Sequence, residues 1–463
     1  MFESSIYKQR RAALLEAMRA AGQHGIMAFL GNSDVTSQGT HGSVFRFHQD
    51  SAWVYFFGVD RPDWAAIMDL DSGEEKMYAD DVDLDDIVWM GPQTPVAEMA
   101  AWTGVSASAP MSQWFADVQR AVGNGRRVHF LPTFRKHNLL RLAAAAGQDA
   151  VASEEMTKAV IGLRLIKQEC EIEELDKAGD LGFRMHEIAL NNLRPGAYED
   201  EIAALMEYFA KSNAWGLSFE TILTQHGETL HNSASHKQIE KGNLVVVDAG
   251  VESLEHYVSD HTRTYPSSGK FTTRQREIYQ IVLDCHEQAF SQIRPGITYR
   301  QVHLNTVHLM LEELQALGLV KGDVDEMVAK GIGGLFMPHG LGHNMGIDVH
   351  DMEEYGEDLV GYDPDQTRAK QLGLGNLRMA RKLVPGHVIT DEPGIYFIPA
   401  LIEKFKKEGL GYGFVNYQAL EGYYDFGGIR IEDDILVTPD GARRLGHHRL
   451  PATVEEIEAA FRQ

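Results

Sequence analysis

The chain has 463 residues, 44% hydrophobic and 24% charged, a globular balance with length for two or three domains and an ample core. Its 43 basic against 67 acidic residues give a formal net charge of −24, which argues against nucleic acid and anionic membranes as partners. Only Cys170 and Cys285 are present, so neither a disulfide framework nor a cysteine zinc site is expected.

The N-terminal stretch 4–21 predicts an amphipathic helix, and its Lys8, Arg10, Arg11 and Glu16 deny it the apolar core of a signal peptide. No stretch is long and apolar enough to span a bilayer, so the cytoplasm is the default location. Strands are predicted at 25–30, 53–57, 65–68 and 127–131, with a helix at 139–146. This reads as a small α/β domain over 1–158. It holds no concentrated cluster of acids and histidines, and no chemistry of its own is assigned to it.

The second domain, 159–463, opens with a long helical pattern from near Gln168 to Leu193. Glu171, Glu173 and Glu174 sit in its first turns, as the helix dipole favours. Further helices are predicted at 199–214, 271–293 and 299–317. Arg194-Pro195-Gly196 closes the first of these four, and Arg294-Pro295-Gly296 the third. Strands and helices alternate in blocks, the mark of an α+β domain.

Between the second and third helices, Leu244-Val245-Val246-Val247 runs straight into Asp248-Ala249-Gly250. A short β-branched run reads as a buried strand, and Gly250 allows a tight turn. An ionised Asp248 at the end of such a strand is costly unless paired or bound to a metal, although an Asp there also serves as a turn cap. Tyr257 to Thr264 alternates like a second strand, and a hairpin would bring Asp260 beside Asp248. Two facing carboxylates repel unless a cation or a shared proton lies between them.

Met337-Pro338-His339-Gly340-Leu341-Gly342-His343 follows. Its histidines have i, i+4 spacing, but Gly340 and Gly342 argue against a helix. A glycine-flanked loop instead lets backbone approach a ligand, with one histidine as ligand and the other beside it. The segments 351–376 and 399–427 read as inserted loops, candidates for lids or binding walls.

Pro385 to Gly394 can be laid on Lys241 to Gly250 without gaps: Gly386 falls on Gly242, Val388-Ile389 on Leu244-Val245, Glu392 on Asp248, and Gly394 on Gly250. So short a match also arises by chance; as a true repeat it means two similar halves, each placing acids at a shared centre. In Gly428 to Ile435, Ile429 and Ile431 face one way and Arg430, Glu432 and Asp434 the other. Pattern alone leaves open Glu432 against Asp433 and Asp434, and Asp391 against Glu392.

Asp248, Asp260, Glu392 and Glu432 carry four negative charges, which two divalent cations would balance. Oxygen ligands with one imidazole suit manganese, cobalt or zinc. Two such metals, about 3.5–4 Å apart, can hold a bridging water and make it a nucleophile at neutral pH.

Together, VVVDAG around Asp248, SDHTRT around Asp260, HGLGH ending in His343, DEPGIY around Glu392 and GIRIEDD around Glu432 resemble the signature of the pita-bread metallopeptidases, nearest to the prolidase and aminopeptidase P branches. The likeness covers about residues 160 to 450, and FRFHQDSAWVYFFGV at 45–59 is similar to the N-terminal domain of both branches. The resemblance implies a curved antiparallel sheet with helices and an internal pseudo-two-fold. It implies Asp248, Asp260, His343, Glu392 and Glu432 as ligands of two divalent ions, manganese first, with Asp260 and Glu432 bridging and Glu392 also the general base. It further implies that His231, His339 and His350 orient the peptide and stabilise the tetrahedral intermediate, and that Arg378 and Arg430 lie near a substrate carboxylate. Asn232 follows His231 where the family often carries an aromatic residue.

The implied reaction is hydrolysis of the bond preceding proline in short peptides, a tertiary amide with no N–H to hold. DHTRTYP and GKFTTRQREIY resemble aminopeptidase P, whereas the GIDVHD, LRMARKL and FGGIRIED segments are similar to prolidase. The Xaa-Pro dipeptidase reading is therefore placed first and aminopeptidase P second. A phosphotriester hydrolase and a non-catalytic binding module are the readings from other classes. A homodimer or tetramer is expected.

Overall fold

The computed structural model describes residues 1–39 and 42–461. Its contacts divide into two units, one of residues 1–164 with 352–356, the other of residues 165–351 with 357–463.

The first unit is built on a five-stranded sheet. Ile26–Leu30 pairs antiparallel with Ala65–Asp69 and parallel with Val128–His129, while Glu75–Tyr78 continues the sheet towards Ser108–Ala109. Met111, Trp114 and Val118, one face of the helix Met111–Gly123, cover it through Ile26, Ala28 and Ile67.

The strand expected at 53–57 is instead the helix Ser51–Phe57. Every residue in it is buried, so the run is apolar on all sides and its periodicity cannot tell strand from helix. The ends decide: the Asp50 side chain accepts from the Trp53 amide at 2.9 Å, and Gly58 closes the helix with φ of 66°. The helix Leu84–Met90 differs in having no buried residue. Its Trp89 is 86% exposed, beside exposed Leu84, Val88 and Met90.

The second unit repeats one design twice. The helices Glu169–Asn192 and Glu199–Asn213 precede the strand Leu244–Ala249; the helices Thr273–Gln292 and Tyr299–Ala316 precede the strand Val388–Asp391. After each Arg-Pro-Gly turn the chain makes the same contact: Gly196 N–H donates to Ile239 O, and Gly296 N–H to Leu383 O, both at 2.9 Å. Gly242 and Gly386, matched in the sequence echo, turn into their strands with φ of 93° and 92°. Only glycine enters that region freely. The echo is a structural repeat.

Leu244–Ala249 lies between Ile222–Thr224 and His261–Pro266, antiparallel to both. Val388–Asp391 pairs with Asp433–Thr438, and Gly394–Tyr396 with Gly428–Arg430. The two halves are joined by the bridge of Thr262 with Glu432 and, beside it, by the Thr264 hydroxyl, which donates to Arg430 O at 3.0 Å and accepts from Arg430 N–H at 3.1 Å. All of Leu244–Ala249 is buried. Val245, Val247 and Ala249 join the main apolar core, which leaves Val246 and Asp248 on the other face. Removing a core side chain such as Val247 or Leu311 would cost about 2–5 kcal/mol.

The segment 399–427 is not a plain loop. It contains the helix Pro399–Glu408, started by proline at its first turn and stopped by Gly409 at φ of 70°. Its Ile402 and Phe405 pack into the core.

Candidate metal centre

Alternation along the paired strands carries Asp248, Asp260 and Glu432 to one face. Asp260, His343 and Glu432 come closest, each offering a ligand atom within 4.8 Å of the others. His343 Nε2 lies 3.5 Å from Asp260 Oδ2 and 3.7 Å from Glu392 Oε1. Its Nδ1 donates to the Asn344 carbonyl at 3.0 Å, which fixes the ring and aims Nε2 at the acids. Asp248 adjoins through Arg430, whose Nη2 donates to Asp248 Oδ2.

The competing acids lie elsewhere. Asp433 pairs with Arg263 at 2.7 Å and Arg444 at 2.8 Å, and Asp434 accepts from the Asp260 amide at 3.0 Å. Asp391 is fully buried on the opposite face of its strand from Glu392.

The acids are crowded. Burial, then the charge on Asp248, pushes the Asp260 carboxyl well above its ordinary range. Burial, then Asp260 and Glu392, does the same to Glu432. Burial also raises Glu392, to about 7. The buried Asp248 Oδ1 and Asp260 Oδ1 have no hydrogen-bond partner. Carboxylate oxygens that lack donors, beside an imidazole nitrogen held towards them, fit a divalent cation.

Histidines and arginines surround this group. The His350 ring lies 4.0 Å from that of His343. His339 Nδ1 donates to Gly340 O at 2.7 Å and sits 3.7 Å from Glu392 Oε2. Burial lowers His339 to about 3, so its Nε2 stays unprotonated and accepts from Tyr396 OH at 3.0 Å. His231 is exposed on a loop, and burial of part of its ring, then the charge on Arg430, lowers its pKa. Arg378 is half-buried and bonded to Glu357 at 3.2 Å. Arg430 is buried, with its three nitrogens directed at Asp248, Tyr396 and Thr262.

Sequence reasoning passed over several contributors. Thr262 donates to Glu432 Oε2 at 2.6 Å, and Thr390 to Glu392 Oε1 at 3.4 Å. Thr262 lies two residues from Asp260 and Thr390 two from Glu392, so strand alternation could have found both. Tyr396 closes the DEPGIY run four residues after Glu392, whereas Tyr299 had no such signal; its hydroxyl, fully buried, donates to Thr390 O at 2.7 Å.

Comparison with known proteins places the chain among metallopeptidases. The pattern of metallopeptidase family M24 matches residues 173–439, and that of the aminopeptidase P N-terminal domain matches residues 7–129. The human Xaa-Pro dipeptidase is 30% identical over 99% of this chain and 93% of its own length. A probable Xaa-Pro aminopeptidase of Uncinocarpus reesii is 28% identical, over 98% and 94% respectively. Among solved structures, an Escherichia coli aminopeptidase P variant in complex with substrate superposes with a TM-score of 0.81 and 29% identity, over 100% of this chain and 98% of that one. The zinc-substituted enzyme in complex with product gives the same TM-score of 0.81. The α+β architecture, with its curved antiparallel sheets, internal repeat and N-terminal α/β domain, is the pita-bread fold expected from the sequence.

Proposed function

The chain belongs to metallopeptidase family M24, and on that footing we propose that it hydrolyses the peptide bond preceding proline in short peptides, as an Xaa-Pro dipeptidase. The observation that carries this reading is the convergence of Asp260, His343 and Glu432 within 4.8 Å, in a chain 30% identical along nearly its whole length to a dipeptidase of that name.

Asp248, Asp260, His343, Glu392 and Glu432 would hold two divalent ions, manganese by preference and cobalt or zinc as substitutes. When bound, such ions polarise the scissile carbonyl and make water nucleophilic at neutral pH. Glu392 takes the proton of the attacking water at a carboxylate oxygen and returns it to the leaving proline nitrogen. His231 and His350 orient the peptide and stabilise its tetrahedral intermediate, while His339, with both ring nitrogens engaged by Gly340 O and Tyr396 OH, lines the same pocket and holds the Tyr396 hydroxyl. Arg378 meets the substrate carboxylate, for which a guanidinium fork is suited. Arg430 faces the same region but holds Asp248 and Tyr396.

Aminopeptidase P is the second reading, favoured by its structures and by the engagement of Arg378 with Glu357. Hydrolysis of Ala-Pro and Ala-Pro-Ala by chelated protein, with and without manganese, separates the two. Manganese-dependent cleavage of the dipeptide alone supports the dipeptidase. Cleavage of the tripeptide supports the aminopeptidase. No cleavage of either refutes both and turns attention to a phosphotriester or to a binding role.

The working division is an N-terminal domain over 1–158 and a catalytic domain over 159–463. A homodimer is supported by the exposed apolar helix Leu84–Met90. A cytoplasmic location is supported by the low cysteine content, Cys170 and Cys285 alone. Among the described residues no helix is long and apolar enough to cross a membrane.

A further inference from the structure

We propose that Arg263 is a positioning residue that fixes the separation of Asp260 and Glu432 across the junction of the two halves, and so governs uptake of a second divalent ion. The inference rests on the metal centre proposed above.

The junction is narrow. Thr262 and Glu432 form the bridge between the halves, with Glu432 N–H donating to Thr262 O at 3.0 Å and Thr262 N–H to Glu432 O at a long 3.4 Å. Beside it the Thr264 hydroxyl bonds the N–H and O of Arg430, so the strands carrying the two carboxylates meet over only a few residues.

Arg263 stands behind it. Strand alternation turns its side chain to the face opposite Asp260 and Thr262, where it is fully buried. Its Nη1 donates to both bridge carbonyls, Thr262 O and Glu432 O, each at 2.9 Å. One guanidinium nitrogen therefore straddles the junction. Nε donates to Pro451 O at 3.1 Å, and Nη2 to Asp433 Oδ1 at 2.7 Å. Asp433 is itself held by Arg444 Nε at 2.8 Å. The planar fork is thus fixed at three corners, an arrangement lysine cannot reproduce.

The clamp acts on the site through the backbone. Glu432 cannot shift relative to Thr262 without stretching a bond to Arg263, and Thr262 holds Glu432 Oε2 at 2.6 Å from the other side. A single ion can follow one displaced ligand. Two ions would need Asp260 and Glu432 held at a fixed spacing.

The test is manganese titration of wild type, Arg263→Lys and Asp433→Asn, read by electron paramagnetic resonance and by thermal melting of each metal-free protein. Arg263→Lys should keep a cooperative melt and bind the first equivalent, but weaken the second by about 10–100-fold. The spin-coupled signal of the manganese pair should fall with it. Asp433→Asn leaves the guanidinium in place and removes the charge that orients Nη2; it should weaken the second equivalent less, and it serves if Arg263→Lys does not fold. Two equivalents bound at wild-type affinity, with the coupled signal intact in whichever variants fold, would overturn the proposal. Equal weakening of both equivalents would overturn it too, since that is the mark of general loosening. Wild type that binds no manganese would remove the metal centre itself, a separate failure visible before any variant is compared.

Discussion

His343 Nε2 stands 3.5 Å from Asp260 Oδ2, while its Nδ1 proton is given to the Asn344 carbonyl. Two electron-rich atoms face each other across that gap, and the arrangement is stable only with a proton or a cation between them. Asp260→Asn supplies an amide N–H to the same nitrogen and removes a crowded charge. The variant should therefore stabilise the metal-free protein, by about 1–3 kcal/mol if it satisfies a polar atom left without a partner. It should also cut peptide hydrolysis by about 100-fold or more if Asp260 is the metal ligand proposed. Urea unfolding in chelator and a turnover assay in manganese read the two effects. Full turnover would sink the ligand role of Asp260.

The raised carboxyl groups set a pH dependence of defined sign. Glu392 holds its proton up to about 7 in the folded protein and to about 4.5 in its ordinary range, so the folded state binds more protons in between. Stability of the metal-free protein contributed by this group is present below that window and is lost as pH rises through it. Manganese affinity should rise over the same interval, since binding must displace the proton. Calorimetric titration in buffers of different ionisation enthalpy counts the protons released. Zero release at pH 6 would contradict the assignment, and Glu392→Gln should flatten the stability slope.

Arg378 is bonded to Glu357 at 3.2 Å, and both side chains are partly exposed, so the pair is labile enough for a substrate carboxylate to replace Glu357. Arg378→Ala should lower kcat/KM for Ala-Pro by about tenfold or more, the worth of one charged hydrogen bond, and affect Ala-Pro-Ala less. Equal losses on the two substrates would exclude a role in reading the proline carboxylate.

Trp89 is 86% exposed on a helix with no buried residue. A surface helix of that composition is stable in water only with a covering partner or at a cost in solubility. Trp89→Glu should shift the protein from dimer to monomer in sedimentation equilibrium, with the melting of the monomer unchanged. A wild-type monomer at micromolar concentration would end the dimer proposal.

The catalytic half was readable because its chemistry is concentrated in short runs. Asp248 ends an apolar strand, and Glu392 repeats that position after Gly386, so the echo could be seen before the matching turns of Gly242 and Gly386 were known. The alternatives within Glu432-Asp433-Asp434 could not be separated by pattern, because what separates them is a distant partner: Arg263 and Arg444 hold Asp433, and the Asp260 amide holds Asp434. Ser51–Phe57 was misread for a related reason. Burial on every side erases the period that identifies a helix, and only the Asp50 cap and Gly58 restore it. Tyr299 left no trace, and Arg263, although inside the SDHTRT run, gave no sign of its role, since both act through backbone carbonyls that any sequence possesses.

The junction of the halves also orders the birth of the site. Thr262 and Glu432 are 170 residues apart along the chain, yet one hydrogen bond of 2.6 Å joins their side chains. Loop closure on that scale comes after local helices and hairpins have formed. A ribosome-bound chain that has emerged only as far as His343 would expose Asp248 and Asp260 on a finished hairpin, still without Glu392 or Glu432. Metal capture would thus mark the end of synthesis, and the first half of the repeat, made alone, would be a scaffold with half a grip.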